Sequence, residues 1–76
     1  MEAAQKRKLS FKEKQEYETL EKEIAALEKK KEKLVEKLNV GSDDHAELTA
    51  WAKEIQQLDE AISAKSDRWL ELAEWA

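Results

Sequence analysis

Residues 17–38 read YETLEKEIAALEKKKEKLVEKL, and this stretch decides the fold of the chain. A series of mostly apolar side chains recurs in it at alternating intervals of three and four positions. The series consists of Tyr17, Leu20, Ile24, Leu27, Lys31, Leu34 and Leu38. Such spacing is typical of the a/d seam of a coiled coil, where one narrow stripe of a helix faces a partner helix. The stretch therefore predicts a long helix that packs against another helix.

A second series with the same spacing follows in the C-terminal half of the chain. It consists of Leu48, Trp51, Ile55, Leu58, Ile62, Lys65, Trp69 and Leu72. Between the two series lies the sequence NVGSD at 39–43, in which Gly41 tolerates the left-handed backbone that often ends a helix. A connection this short makes the two helices antiparallel neighbours. We therefore predict an all-α fold, an antiparallel two-helix coiled-coil hairpin.

Helix start signals precede each series. Ser10 and Glu13 have the spacing of a capping box, in which the side chains at the two positions each accept a hydrogen bond from the backbone of the other. Asp44 and Glu47 repeat this spacing. We predict a basic N-terminal tether over residues 1–9 and a helical hairpin over 10–76, with helices over about 10–38 and 44–76 and a turn over 39–43.

Two registers of the hairpin differ by one heptad. The facing pairs of the first register include Leu27/Ile55, Lys31/Trp51, Tyr17/Lys65 and, on the flank, Glu16/Arg68. In this register the Trp51 ring covers the aliphatic stem of Lys31, which compensates the interruption of the seam. The slipped register faces Ile24 with Lys65 and lengthens the connection to about a dozen residues. We favour the first register because its connection is short, and the slipped register remains the alternative.

Composition excludes several classes of protein. The chain has 76 residues, no cysteine, and 42% charged residues. Without cysteine it has no disulfide, no thiolate metal site and no thiol redox chemistry. The longest apolar runs are a few residues, too short for a membrane span or the core of a signal peptide. We expect a soluble cytoplasmic module with no membrane contact.

The sequence offers no catalytic, metal-binding or cofactor-binding residues. His45 follows Asp43 and Asp44, but three adjacent loop residues rarely converge on one ion, and both aspartates suit turn or cap positions. No serine or cysteine is arranged with a base. A Gly-rich phosphate loop is excluded in a chain with one glycine.

A basic cluster at the N-terminal end is the best candidate for binding an anion. Its residues are Lys6, Arg7, Lys8, Lys12 and Lys14. Only Glu2 and Glu13 oppose them in the first fourteen residues. A second basic run, Lys29, Lys30, Lys31 and Lys33, is interleaved with glutamates and is interpreted as a solvated helix face. We predict that nucleic acid binds at the N-terminal cluster.

Two groups of residues are more specific than a generic coiled coil. They are KRKLSFKE at 6–13, continued by EYETLEKEI at 16–24, and RWLEL at 68–72. In these segments the chain resembles the C-terminal domain of ABC-F ATPases of the Uup type, and the resemblance extends over roughly residues 6–76. The resemblance implies a parent protein with two ATP-binding cassettes, which use ATP and Mg²⁺, and no transmembrane domain. It also implies contact with DNA or with ribosomal RNA.

The leading hypothesis from the sequence is a non-catalytic arm that contacts phosphate backbones without reading bases. From Asp44 onward the chain has three basic residues against eight acidic ones, so we expect contact only at the N-terminal end. The alternative is a protein-docking or dimerisation arm with no nucleic-acid role. Its contact residues would be Phe11, Trp69, Leu72 and Trp75, which would also form a homodimer interface.

Overall fold

The computed structural model describes residues 8–76 as two helices. Helix α1 spans Phe11–Val40 and helix α2 spans His45–Ala73, joined by residues 41–44. The helices pack along their length into a rod of about 61 × 19 × 16 Å. This confirms the predicted all-α antiparallel hairpin. Lys6 and Arg7 of the basic cluster, like the rest of residues 1–7, lie outside the described residues.

Helix α1 begins with the predicted capping box. The Glu13 backbone N–H donates to the Ser10 hydroxyl at 3.2 Å, and the Ser10 N–H donates to the Glu13 carboxylate at 2.9 Å. The helix continues two residues beyond its predicted end. It stops at Gly41, whose φ of 91° lies in a region that favours glycine and whose N–H donates to the Lys37 carbonyl at 2.9 Å.

Helix α2 begins with a cap that differs from the prediction. Asp44 Oδ1 accepts from the backbone N–H groups of Ala46 and Glu47, at 3.0 and 3.4 Å. The Glu47 carboxylate, however, does not close the capping box directly. The Ser42 hydroxyl accepts from the Asp44 N–H at 3.0 Å and donates to the Glu47 carboxylate at 2.8 Å. Ser42 therefore bridges the two groups that would bond directly in a capping box. The helix ends at Ala73, three residues before its predicted end.

The core is concentrated where the helix termini meet, which we call the open end. Leu9, Leu20 and Leu72 form its centre, and Leu72 is only 1% exposed. Partly buried side chains pack around them: Tyr17, Ile24, Trp69 and Trp75. Leu9 was assigned to the tether, and this assignment is wrong, because its side chain is buried against both helices. Leu34 and Leu58 are also buried, nearer to the turn.

The contacts across the hairpin contradict the first register. Lys31 does not lie on Trp51: its ammonium pairs with Asp59 at 2.6 Å, and the Trp51 ring centroid lies 5.7 Å from Lys37 Nζ. Likewise, the predicted partner of Lys65 was Tyr17. Lys65 instead donates to Glu23 at 2.9 Å.

These contacts agree with the slipped register, in which Lys65 lies opposite the part of α1 around Ile24. Tyr17 then stacks on Trp69, with ring centroids 5.3 Å apart and planes 12° from parallel. The slip does not require a long connection, because α1 runs on to Val40 and the connection stays at residues 41–44. The predicted pair of Glu16 and Arg68 is confirmed, because long side chains on the flank reach across either register.

Neither helix within residues 8–76 is long and apolar enough to span a membrane.

Candidate nucleic-acid interface

The three described lysines of the basic cluster lie together at the start of α1. Lys8 precedes the Ser10 cap, while Lys12 and Lys14 belong to the first turns of the helix. All three side chains are exposed, and none is in an ion pair with another residue of the range 8–76. We call Lys8, Lys12 and Lys14, with Phe11 between them, the open-end patch.

Two of these lysines border a shallow recess of about 520 Å³ at the open end. Its lining consists of Lys8, Leu9, Lys14, Tyr17, Glu18, Trp75 and Ala76. The lining thus combines apolar side chains, Leu9, Tyr17 and Trp75, with the two lysines. Glu18 is the opposing charge in the lining. The arrangement suits a ligand that combines anionic and apolar parts.

Phe11 differs in exposure from the three residues with which the sequence analysis grouped it. That grouping placed Phe11 with Trp69, Leu72 and Trp75 in a dimer contact. Leu72 is buried in the core of its own chain, and both tryptophans pack against that core. Phe11 alone of the four is left in solvent, with 75% of its surface exposed. No sequence signal separates these roles, because Phe11 lies off the seam in either register.

Two acidic side chains near the open end, Glu16 and Glu71, are bound by Arg68. Arg68 donates two hydrogen bonds to the Glu16 carboxylate, at 2.8 and 3.0 Å, and a third to Glu71 at 3.1 Å. The guanidinium holds the pKa of Glu16 below its ordinary value of 4.5. Bonds to both carboxylates raise the pKa of Arg68. Arg68 is therefore committed to its own chain, and Glu16 opposes the lysines less than its formal charge suggests.

The start of α1 is occupied by an anion of the protein itself. A helix dipole favours negative charge at this end of a helix. The structure places the Glu13 carboxylate on the Ser10 N–H and the Ser10 hydroxyl on the Glu13 N–H. The protein's own anion thus occupies the start of the helix, and attraction for a ligand must come from the lysine side chains.

A second basic and aromatic surface lies at the turn. A recess of about 520 Å³ there is lined by Lys33, Glu36, Lys37, Val40, Gly41 and Trp51. The Lys37 ammonium lies 5.7 Å from the centre of the Trp51 ring, within the range of a cation–π contact. The sequence analysis placed Trp51 on Lys31 and did not predict its contact with Lys37. Lys37 is already engaged by its own chain, which distinguishes this surface from the open-end patch.

Two acidic residues near the turn, Asp44 and Glu47, take part in the cap of α2. Asp44 caps α2, and Ser42 and Glu47 complete the cap. Within residues 8–76, no three His, Asp or Glu side chains are grouped closely enough to hold a metal ion.

The family model described as ABC transporter C-terminal domain matches residues 8–74 of this chain. The match covers both helices, the connection and the open-end patch. No curated protein and no solved structure matches the chain. The chain therefore belongs to the ABC transporter C-terminal domain family.

Proposed function

We propose that this member of the ABC transporter C-terminal domain family is a non-catalytic arm of an ABC-F type protein of the Uup kind, and that it contacts DNA or ribosomal RNA. Its resemblance over residues 6–76 supports the ABC-F assignment. In this proposal, ATP and Mg²⁺ are used by the cassettes of the parent protein, which works in the cytoplasm. The arm contributes contact with nucleic acid and takes no part in hydrolysis.

The observation that carries the proposal is the gathering of Lys8, Lys12 and Lys14, all exposed and unpaired within residues 8–76, at one end of the rod. Ammonium groups in this state can replace the counterions of a phosphate backbone. Each phosphate that is neutralised on a duplex contributes about −0.9 to the slope of log affinity against log salt concentration. Three to five contacts therefore predict weak binding with a slope between about −2.7 and −4.5.

The charge of α2 restricts how nucleic acid can approach. From Asp44 onward, the chain has eight acidic residues and three basic ones. Two of the basic residues, Lys65 and Arg68, are paired with glutamates. A polyanion laid along this helix would be repelled over most of its length. The arm should therefore touch nucleic acid with its open end and show little preference for base sequence.

The test compares charge reversal at the two ends of the hairpin. Changing Lys6, Arg7, Lys8, Lys12 and Lys14 together to glutamate should abolish binding of a labelled DNA or RNA oligonucleotide at low salt. Because the lysines are exposed, helical content measured by circular dichroism should change little. Two triple variants give a matched comparison: Lys8, Lys12 and Lys14 to Glu against Lys29, Lys30 and Lys33 to Glu. Both remove the same positive charge, and we expect the first to weaken binding far more.

The proposal is wrong if the wild-type hairpin binds neither DNA nor RNA at low salt, or if the turn variant loses binding as much as the open-end variant. The remaining candidate is then a protein-docking arm. The exposed apolar side chains of Phe11 and Leu70, 75% and 57% exposed, favour that candidate. Apolar docking would be nearly independent of salt, whereas phosphate contacts weaken steeply with it.

A further inference from the structure

We infer that Phe11 stacks on an unpaired nucleobase, so that the open-end patch prefers single-stranded nucleic acid to a duplex. The inference rests on the proposed function and names the form of ligand that the same site takes. Proteins that bind single strands combine basic groups, which follow the backbone, with aromatic rings on which bases stack. The open-end patch has both components.

The exposure of Phe11 is unusual for this chain. All five of its aromatic residues lie in the described range, and the other four are partly buried. Phe11 is 75% exposed although an apolar cluster around Leu9, Leu20 and Leu72 lies at the same end of the hairpin. A ring that faces water contributes almost nothing to the stability of the fold. It is, however, free to stack on a ligand without any rearrangement of the core.

The position of Phe11 among the lysines suits a nucleotide. Phe11 is the first residue of α1, and Lys14 lies one turn further on the same face, with about 5–6 Å between the two Cβ atoms. Lys12 is adjacent in sequence, and Lys8 precedes the cap. A base on the ring would place its flanking phosphates within reach of flexible ammonium groups on both sides. In a duplex the base faces are covered by neighbouring bases, so the same contact requires costly unstacking.

The other aromatic rings are less suitable as stacking platforms. Trp51 at the turn has the Lys37 ammonium of its own chain 5.7 Å from its ring centre. Trp69 is stacked on Tyr17. Trp75 packs against the core cluster at the open end. Among the aromatic rings of residues 8–76, Phe11 is therefore the most exposed one at the site where the lysines lie.

The experiment measures the affinity of wild type, Phe11→Ala and Phe11→Leu by fluorescence anisotropy at one low salt concentration. The probes are a single strand, a duplex of the same sequence, and a single strand of the same length with abasic sites. We expect Phe11→Ala and Phe11→Leu to weaken single-strand binding about 5-fold or more, as loss of one stacked base does. Duplex binding should be unchanged. Wild type should bind the abasic strand as weakly as Phe11→Ala binds the normal strand.

Two variants complete the design. Phe11→Tyr keeps an aromatic ring and should retain the preference for a single strand. Leu70→Ala removes another exposed apolar side chain, 57% exposed in the last turns of α2, and should change neither affinity. Because Phe11 is exposed, all its variants should keep the helical content and melting temperature of wild type.

The outcomes separate the inference from the function on which it rests. The inference is overturned if nucleic acid binds but Phe11→Ala weakens single strand and duplex equally, or if wild type does not distinguish normal from abasic strands. In both cases the proposed function stands. If no probe binds wild type at low salt, the proposed function fails as well. If Phe11→Ala abolishes a self-association seen by sedimentation and changes no nucleic-acid affinity, Phe11 is a protein contact and the inference is overturned.

Discussion

The open end and the turn end of the hairpin are held together by different means. At the open end, Leu72 is almost fully buried, and Tyr17 stacks on Trp69. At the turn end, Trp51 is partly exposed and lies beside the ammonium of Lys37. The best packing thus lies farthest from the connection that joins the helices. The turn sets the direction of the chain, and the largest buried cluster lies between the start of α1 and the end of α2.

This arrangement has a cost in chain entropy and a benefit for the proposed site. Contacts near a turn close short loops, whereas those at the open end, such as Glu16 with Arg68, are 52 residues apart in sequence and close longer ones. The packing there is also not ideal, because the Trp69 indole N–H is buried with no hydrogen-bond partner within residues 8–76. The buried cluster at the open end nevertheless fixes the backbone that carries Phe11 and the lysines.

The largest expected effect comes from truncating the core leucines of the two ends. Leu72 is 1% exposed inside the open-end cluster, while Leu34 is 6% exposed and lies outside that cluster. Leu72→Ala should cost about 3–5 kcal/mol and Leu34→Ala about 2–3 kcal/mol, because the cost of a buried cavity grows with how tightly its surroundings pack. A hairpin of this size has only about 3–5 kcal/mol in total, so Leu72→Ala should be largely unfolded at 25 °C.

Thermal and urea melts followed by circular dichroism measure this difference. Equal losses in the two variants, or a larger loss in Leu34→Ala, would mean that the hairpin is held evenly or from its turn. Leu27→Ala and Ile55→Ala should each cost about 2 kcal/mol, at the lower end of the range for such truncations, because both side chains are partly exposed.

The next effect concerns the aromatic contacts that mark the register. Tyr17→Leu keeps an apolar side chain but removes the stack on Trp69, and should cost about 0.5–1.5 kcal/mol. Lys37→Met, which removes the cation beside Trp51, should cost about 0.5 kcal/mol or less, since that contact is exposed. NMR ring-current shifts of the Trp69 protons should decrease in Tyr17→Leu. If they do not change, the two rings are not stacked in solution.

The elements of the hairpin were predictable from the sequence because their signals are local. Ser10 with Glu13, and the glycine at 41, act on their immediate neighbours, so the start and end of α1 followed from short patterns. The register did not follow, because a slip of one heptad returns the seam of each helix to the same face. The choice between the two registers depends on the energies of particular contacts, such as that of Tyr17 with Trp69. The heptad spacing alone gives no information about these energies.

The candidate site was predictable to a similar degree. The clustering of Lys8, Lys12 and Lys14 was visible in the sequence, and the structure keeps these residues exposed. The positions of two other residues that define the surface were not predictable from the sequence. Leu9 precedes the first cap and lies outside the periodic series, yet it is buried. Phe11 has the hydrophobicity of a core residue, yet it is exposed, since only the packing of the open end decides which apolar side chains fit inside.

The smallest expected effect concerns the bond of Glu16 to Arg68. Hydrogen bonds from the guanidinium lower the pKa of Glu16 below the ordinary 4.5, a value that the carboxyl regains when the chain unfolds. As the pH falls, the unfolded state therefore binds the proton first. The contribution of the pair is complete above about pH 4.5 and is lost as the pH falls through the lower folded-state pKa.

Glu16→Gln should therefore lower the melting temperature slightly near pH 7 and flatten its decrease below about pH 4.5. Glu21→Gln is a matched control, because it removes the same charge from an exposed residue of α1 that has no ion pair within residues 8–76. Melts at pH steps between about 3 and 7 measure both variants. The Lys37 contact with Trp51 at the turn involves no carboxylate and should not change over this range. If Glu16→Gln and Glu21→Gln give parallel curves, the Arg68 bonds do not stabilise the open end, and the difference between the two ends lies in apolar packing alone.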